Sequence, residues 1–226
     1  MSMNPFDKPG PDTYRSVSFM APDKNDSTTR RQILRAALKH FANGGYAATS
    51  VQQIVGTAKV SKPALYYHFK DKAALFQALV HEAHDERYRL LCEAAAPSQD
   101  IRRQLEDILT VLFEYFVGNR ELMRISFATM FAAPGEVPEN LRYAEKCERN
   151  FEFVHSLIKA AQKKGGLEKK FAARDMAFGF YGLVNSYLVS HLVMPGCRPD
   201  RQAAKSIVEL FLTGAGAKRP AVRRKK

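Results

Sequence analysis

The chain has no tryptophan and only three cysteines, Cys92, Cys147 and Cys197. They are far apart, odd in number and form no C-x-x-C pair. That spacing argues against a disulfide framework or a zinc ribbon and fits a reducing cytoplasm. No apolar run is read as approaching the roughly 20 residues of a membrane span. The opening MSMNPFDKPGPDTYRSVSF lacks the apolar core of a secretory signal. A cytoplasmic protein without a membrane partner is therefore expected. No glycine-rich phosphate loop, nucleophile elbow or paired carboxylate stands out, so an enzyme is the least favoured class. No cofactor and no metal are expected.

Acidic residues are also scarce. There are 23 against 35 lysines and arginines, giving a net charge of +12 and a pI near 9.7. Such a balance favours a polyanionic partner, with nucleic acid ahead of an anionic membrane surface. The excess is concentrated. Between Thr28 and Val80 lie eight basic residues (Arg30, Arg31, Arg35, Lys39, Lys59, Lys62, Lys70 and Lys72) against one acid, Asp71. This segment carries +7 of the +12.

What the chain has in quantity is helical periodicity, and the expected fold is all-α. Residues 1–27, with Pro5, Pro9, Gly10, Pro11 and Pro22, read as a flexible arm. The end, AKRPAVRRKK, reads as a basic solvated tail over 215–226 that adds only non-specific DNA affinity. Ile33, Leu34, Ala37, Leu38 and Phe41 form the apolar stripe of a first helix, stopped by Gly44-Gly45. Ser50, Ser61 and Asp71 are N-caps for the second, third and fourth helices. Further helices are expected near 99–117, 120–132, 139–164, 173–194 and 200–213. The domain boundaries follow: a DNA-binding unit over 28–75 and a helical effector-binding and dimerisation unit over 76–214.

The second and third helices are short and joined by AKVS, the helix-turn-helix arrangement whose second helix enters the DNA major groove. Pro63 falls at the second helical position, where a backbone N–H has no intrahelical partner and proline costs little. Leu65 and Phe69 face the core. Lys62, Ala64, Tyr66, Tyr67 and His68 are left for DNA. Lysine donates to guanine and Ala64 fits a thymine methyl. Tyrosine and histidine donate to phosphate. Lys72 opens the fourth helix, where free N–H groups attract phosphate.

These residues resemble the tetracycline-repressor (TetR) family of transcriptional regulators. The match runs from about Thr29 to Leu79, through Phe41, Gly45, TSVQQIV and VSKPALYYHFKDKAALF. Val60, Ser61, Leu65, Tyr66, His68, Phe69, Lys72 and Leu75 all fit the family's pattern. The resemblance implies phosphate contacts from Ser50, Tyr66, His68 and Lys72, and base contacts from Lys62, Ala64, Tyr67 and Gln52. It implies a double-stranded DNA operator, a small-molecule effector and a homodimer formed by the last two long helices. One residue departs from the pattern: Lys59 stands where the family has a turn glycine. A side chain at positive φ there costs roughly 1 kcal/mol.

Other clusters carry less. HEAHDE over 81–86 is one residue short of a zincin motif and reads as a solvated helix face. His155 and His191 read as hydrogen-bonded core histidines. Phe113, Phe116, Phe127, Met130, Cys147, Phe151 and Tyr181 are candidates for a pocket holding an apolar or aromatic effector, with core as the alternative. Gly179, Gly182 and Ser186, with Ile207, Val208 and Phe211, are the candidate dimer seam. The function expected is a sequence-specific transcriptional regulator, a repressor released by its effector. A basic architectural DNA-binding protein and a helical enzyme remain the rivals.

Overall fold

The computed structural model describes residues 28–139, 141, 143–194 and 196–213. The expected N-terminal arm, Pro195 and the basic tail lie outside the described residues. The described residues form nine helices and no strand, as the periodicity predicts. They are α1 (Thr28–Ala48), α2 (Val51–Ala58), α3 (Lys62–His68), α4 (Lys72–Ala95), α5 (Ile101–Gly118), α6 (Arg120–Met130), α7 (Ala144–Lys163), α8 (Ala173–Val193) and α9 (Arg201–Thr213).

Local chemistry sets the element ends. Gly45 breaks α1 with φ 76° and ψ 167°. Ser50 caps α2 in a full capping box: its Oγ accepts from the Gln53 N–H and Gln53 Oε1 accepts from the Ser50 N–H. Ser61 caps α3 and Asp71 caps α4, the latter accepting from Ala74 N at 2.7 Å. Asp100 and Asp200 hold the first turns of α5 and α9 in the same way. One expected boundary moves. The seventh helix begins at Ala144, not 139, because the chain after Pro138 makes a tight turn, with Leu141 N bonded to Pro138 O.

The helices share one continuous core. Ile33, Leu34 and Ala37 of α1 are fully buried with Ile54 and Leu65, and this small unit sits on the first turns of α4 through Leu75, Phe76 and Leu79. Phe76 meets the rings of Phe41 and Tyr46 edge-on at 5.0 and 5.1 Å. α4 is therefore a single rod that begins under the helix-turn-helix and continues into the C-terminal bundle. There it packs on α5 and α7, while α6 lies against α1.

α8 buries only Ala177, Phe180, Val184 and Leu188. Phe178, Gly179, Gly182, Ser186, Val189 and Val193 are exposed on its other side. This helix corrects the expectation about apolar runs: its 21 residues contain an 18-residue window with a mean hydropathy of 1.2, long and apolar enough to cross a bilayer by length and composition. Ile207 and Val208 need a second correction. Both are buried inside their own chain, on the face of α9 that packs against α5. Each contributes about 1.5–3 kcal/mol to this subunit's core and is not available to a second chain. Phe211 is partly buried against the Phe180 ring at 5.4 Å.

Candidate nucleic-acid interface and adjoining cavity

α3 presents its polar residues because Leu65 and Phe69 are buried beneath it. Lys62 and Pro63 are exposed, Tyr66 is 48 % and Tyr67 85 % exposed, and Ala64 and His68 are half-buried. Tyr67 and His68 meet edge-on at 5.1 Å. Ser50 and Gln52 are exposed at the start of α2. Apart from Lys72, the residues expected to read DNA are thus at least partly accessible on two helices that contact each other, and Lys70 is exposed as well. Tyrosines this exposed gain little from core packing, and their hydroxyls are placed to donate outward.

Lys72 is different. Its Nζ donates to three backbone carbonyls, those of Tyr46 at 2.9 Å, Ala47 at 3.3 Å and Thr49 at 2.9 Å. It also lies 4.4 Å from the centre of the Tyr46 ring. An ammonium has three donors, so all are engaged. The phosphate contact expected of Lys72 is corrected on that ground: the side chain ties the start of α4 to the segment between α1 and α2. Partial burial lowers its pKa from the ordinary lysine value.

Lys59 adopts the conformation that the departure from glycine demands, φ 54° and ψ 43°. It is the only non-glycine residue with positive φ among the described residues. Its N–H reaches back to α2 carbonyls, and Val60 N bonds Val55 O at 3.1 Å, closing the helix.

A cavity of about 50 Å³ lies between α4, α6 and α7. Of the residues proposed for a pocket, it brings together Met130 and Cys147. Phe113 and Phe116 are buried core, Phe113 against Tyr187 and Phe116 near Arg87. Phe127 packs on the core elsewhere. Phe151 and Tyr181 belong to a separate aromatic cluster with Phe178: the Phe151 ring lies 4.6 Å from that of Phe178 and 5.6 Å from that of Tyr181. They lie between α7 and α8, and none of these five residues borders the cavity of about 50 Å³.

Of the cavity's polar residues, the sequence pointed to Cys147 alone as a pocket residue. His84, Arg87, Thr129 and Tyr143 line it with Cys147. His84 is only 7 % exposed, so the HEAHDE segment is not a solvated face throughout. The signal was present: His84 and Arg87 lie four and seven residues after Val80 and prolong the inward stripe of α4. Burial, and then the positive charges of Arg87 and Lys146, push the His84 imidazole down to about 3, so it is neutral. Arg87 Nη2 donates to its Nδ1 at 2.5 Å. Arginine cannot accept, so the remaining proton of His84 sits on Nε2, 3.8 Å from Cys147 Sγ. Burial also raises the Cys147 thiol pKa. On the outer side of α4, Asp85 holds Lys146 and Arg149 of α7. His155 bonds Glu152 and His191 bonds the Cys197 carbonyl, so the expected hydrogen bonds are present, but both rings are half-buried and not part of the core.

A second, more open cleft of about 320 Å³ lies on the other side of α6. It is bordered by Gly45, Tyr46, Phe76 and Val137. Ile125 and Thr129 line both spaces.

Residues 33–79 match the model of the family described as bacterial regulatory proteins, tetR family. The uncharacterized HTH-type transcriptional regulator YvkB of Bacillus subtilis (strain 168) is 30% identical over 193 residues, 84% of this chain and 98% of that protein. The uncharacterized HTH-type transcriptional regulator YuxN of the same strain is 31% identical over 117 residues, covering 52% of this chain but 37% of that longer protein. Among solved structures, the transcriptional regulator FadR from Bacillus subtilis, in complex with stearoyl-CoA, superposes with a TM-score of 0.71 at 17% identity. That superposition covers 82% of this chain and 99% of FadR. At that identity the likeness is one of fold.

Proposed function

Because the chain belongs to the TetR family of bacterial regulatory proteins, we propose that it is a dimeric, sequence-specific repressor that leaves its operator when a small effector binds. Its relatives are transcriptional regulators, and the chain is a regulator and not an enzyme. The observation that carries the reading is the exposed row Lys62, Tyr66 and Tyr67 on a short helix anchored by Leu65 and Phe69. Lys62 reads a base, joined by Ala64, Tyr67 and Gln52, while Ser50, Tyr66 and His68 hold phosphates.

The dimer seam in this reading is the exposed face of α8, with Gly179, Gly182 and Ser186 admitting a facing helix closely. Phe211 and Leu210 lie on the neighbouring α9. An added Cβ at Gly179 or Gly182 would meet nothing within 4 Å in the single chain, which supports an open face there. A twofold axis through that face sets two recognition helices one DNA turn apart, roughly 34–36 Å, or a multiple of it.

Release is supported by the double role of α6. Ile125 and Thr129 border the cavity at His84 and also the cleft at Tyr46 and Phe76. A ligand that widens the cavity displaces α6 against the α1 end that Lys72 ties to α4. Two arrangements of that contact, one favoured by DNA and one by ligand, constitute a coupling free energy. The stearoyl-CoA of the FadR neighbour is not carried over, because the cavity here holds about 50 Å³.

Selection from a random-sequence DNA library followed by footprinting tests the reading. A palindromic motif with two half-sites is expected, with protection lost in Lys62→Ala. Binding that enriches no motif would establish a basic architectural protein in its place.

A further inference from the structure

Packing does not explain the polar end of the cavity between α4, α6 and α7. The Thr129 hydroxyl is buried and has no hydrogen-bond partner. A buried hydroxyl left unsatisfied destabilises a fold, and such groups commonly mark a site that something else fills. Thr129 lines the cavity beside Arg87. Among the described residues Arg87 has no carboxylate partner. Its Nη2 donates to His84 Nδ1, and the Asn150 amide oxygen, turned toward it, accepts from Nε at 3.1 Å and Nη2 at 3.3 Å. A half-buried guanidinium held by neutral groups keeps its full charge directed at its surroundings. The chemistry here is donor-rich: Arg87 donates only, neutral His84 carries its proton on Nε2 facing Cys147 Sγ, and Thr129 has both capacities open. The lining also has an aliphatic part, formed by Val80, Ala83, Leu122 and Ile125.

We propose that this cavity binds a small organic acid, its carboxylate held by Arg87 and Thr129 and its hydrocarbon body by Leu122 and Ile125. The proposal rests on the effector-responsive reading above and narrows it to one ligand class. With Nε and Nη2 already engaged, the donors left to the ligand are those of Arg87 Nη1, and a carboxylate has a second oxygen to accept from the Thr129 hydroxyl. Size sets the manner of entry. The present 50 Å³ is well below the roughly 150 Å³ that encloses a benzene ring. Met130 both lines the cavity and is 50 % exposed, so it forms the mouth. Its unbranched, flexible side chain is the part that yields when the body of the acid enters.

Calorimetric titration of the full chain tests this with matched pairs: butyrate, hexanoate, benzoate and phenylacetate, each against its primary amide. At least one acid is expected to bind tenfold or more tightly than its amide, and Arg87→Gln should erase that preference. Thr129→Val, which removes only the orphan hydroxyl and leaves the shape, should weaken the acid several-fold while the protein stays folded by circular dichroism. If Arg87→Gln fails to fold, Thr129→Val decides alone. No acid outbinding its amide, or a preference that survives the variants, overturns the proposal. Operator titration separates this from the release reading. An acid that binds through Arg87 without loosening DNA removes release and leaves the acid site standing. A neutral compound that loosens DNA and outbinds every acid removes the acid site and leaves the regulator standing.

Discussion

Lys72 and Tyr46 are joined twice. The lysine ammonium donates to the tyrosine carbonyl at 2.9 Å and lies 4.4 Å from the centre of its ring. With the carbonyls of Ala47 and Thr49 also accepting from it, the first residue of α4 holds the exit of α1 in place. A residue that the family pattern assigns to phosphate is here a brace inside the helix-turn-helix unit.

Lys72→Ala is therefore expected to lower stability by about 1–3 kcal/mol, the range for lost hydrogen bonds to a charged group. Urea denaturation measures that loss. DNA affinity should fall for all sequences alike, with the slope of log affinity against log salt unchanged. A slope flattened by about one unit at full stability would instead show the ammonium neutralising a phosphate.

Lys62→Ala should leave stability within about 0.5 kcal/mol, since the side chain is exposed. Its effect should appear in recognition, as a loss of roughly 1–3 kcal/mol confined to one operator position. Titration of single-base operator variants distinguishes this from a uniform loss, which would remove Lys62 from base reading.

Lys59→Gly should stabilise the protein by about 0.5–1 kcal/mol, because φ 54° suits glycine and strains lysine. Thermal unfolding reports the gain. A loss of stability would mean that the unfolded-chain entropy of glycine outweighs the relieved strain.

His84 makes stability depend on pH. Its folded pKa, about 3, lies below the ordinary value of 6.5. Between those values the unfolded chain takes up a proton that the folded chain refuses, so stability falls as pH falls below about 6.5. The slope from this residue approaches about 1.4 kcal/mol per pH unit and ends near pH 3. Denaturation midpoints of the wild type and of His84→Gln, followed from pH 7.5 to 5, should diverge as the pH drops, with the variant losing less. Parallel curves would show that His84 is protonated in the fold.

Gly182→Glu should give monomers whose subunit fold is intact, since nothing in the single chain lies near an added Cβ and glycine is a poor helix former. Val208→Glu should do something else. That residue is fully buried within the subunit, and a charge there should unfold it. Sedimentation and circular dichroism together separate the two outcomes. A Gly182→Glu protein that remains dimeric places the seam elsewhere.

Periodicity and capping determined the helices. Stripes at three and four residues, Ser50, Ser61 and Asp71 before them, and Gly45 after the first are local signals, and local hydrogen bonds and side-chain directions suffice to read them. The exposed row Lys62, Tyr66 and Tyr67 was legible for the same reason, because Leu65 and Phe69 fix which side of a short helix faces out. Tertiary structure decided everything that depends on a distant partner. An apolar stripe says that a face is covered but not by what, so Ile207 and Val208 looked like a dimer seam until α5 was found lying on them. Lys72 finds its carbonyls 23–26 positions back along the chain, where no spacing rule reaches. The cavity joins His84, Thr129 and Cys147 from three helices, and only their packing shows that a hydroxyl among them has no partner.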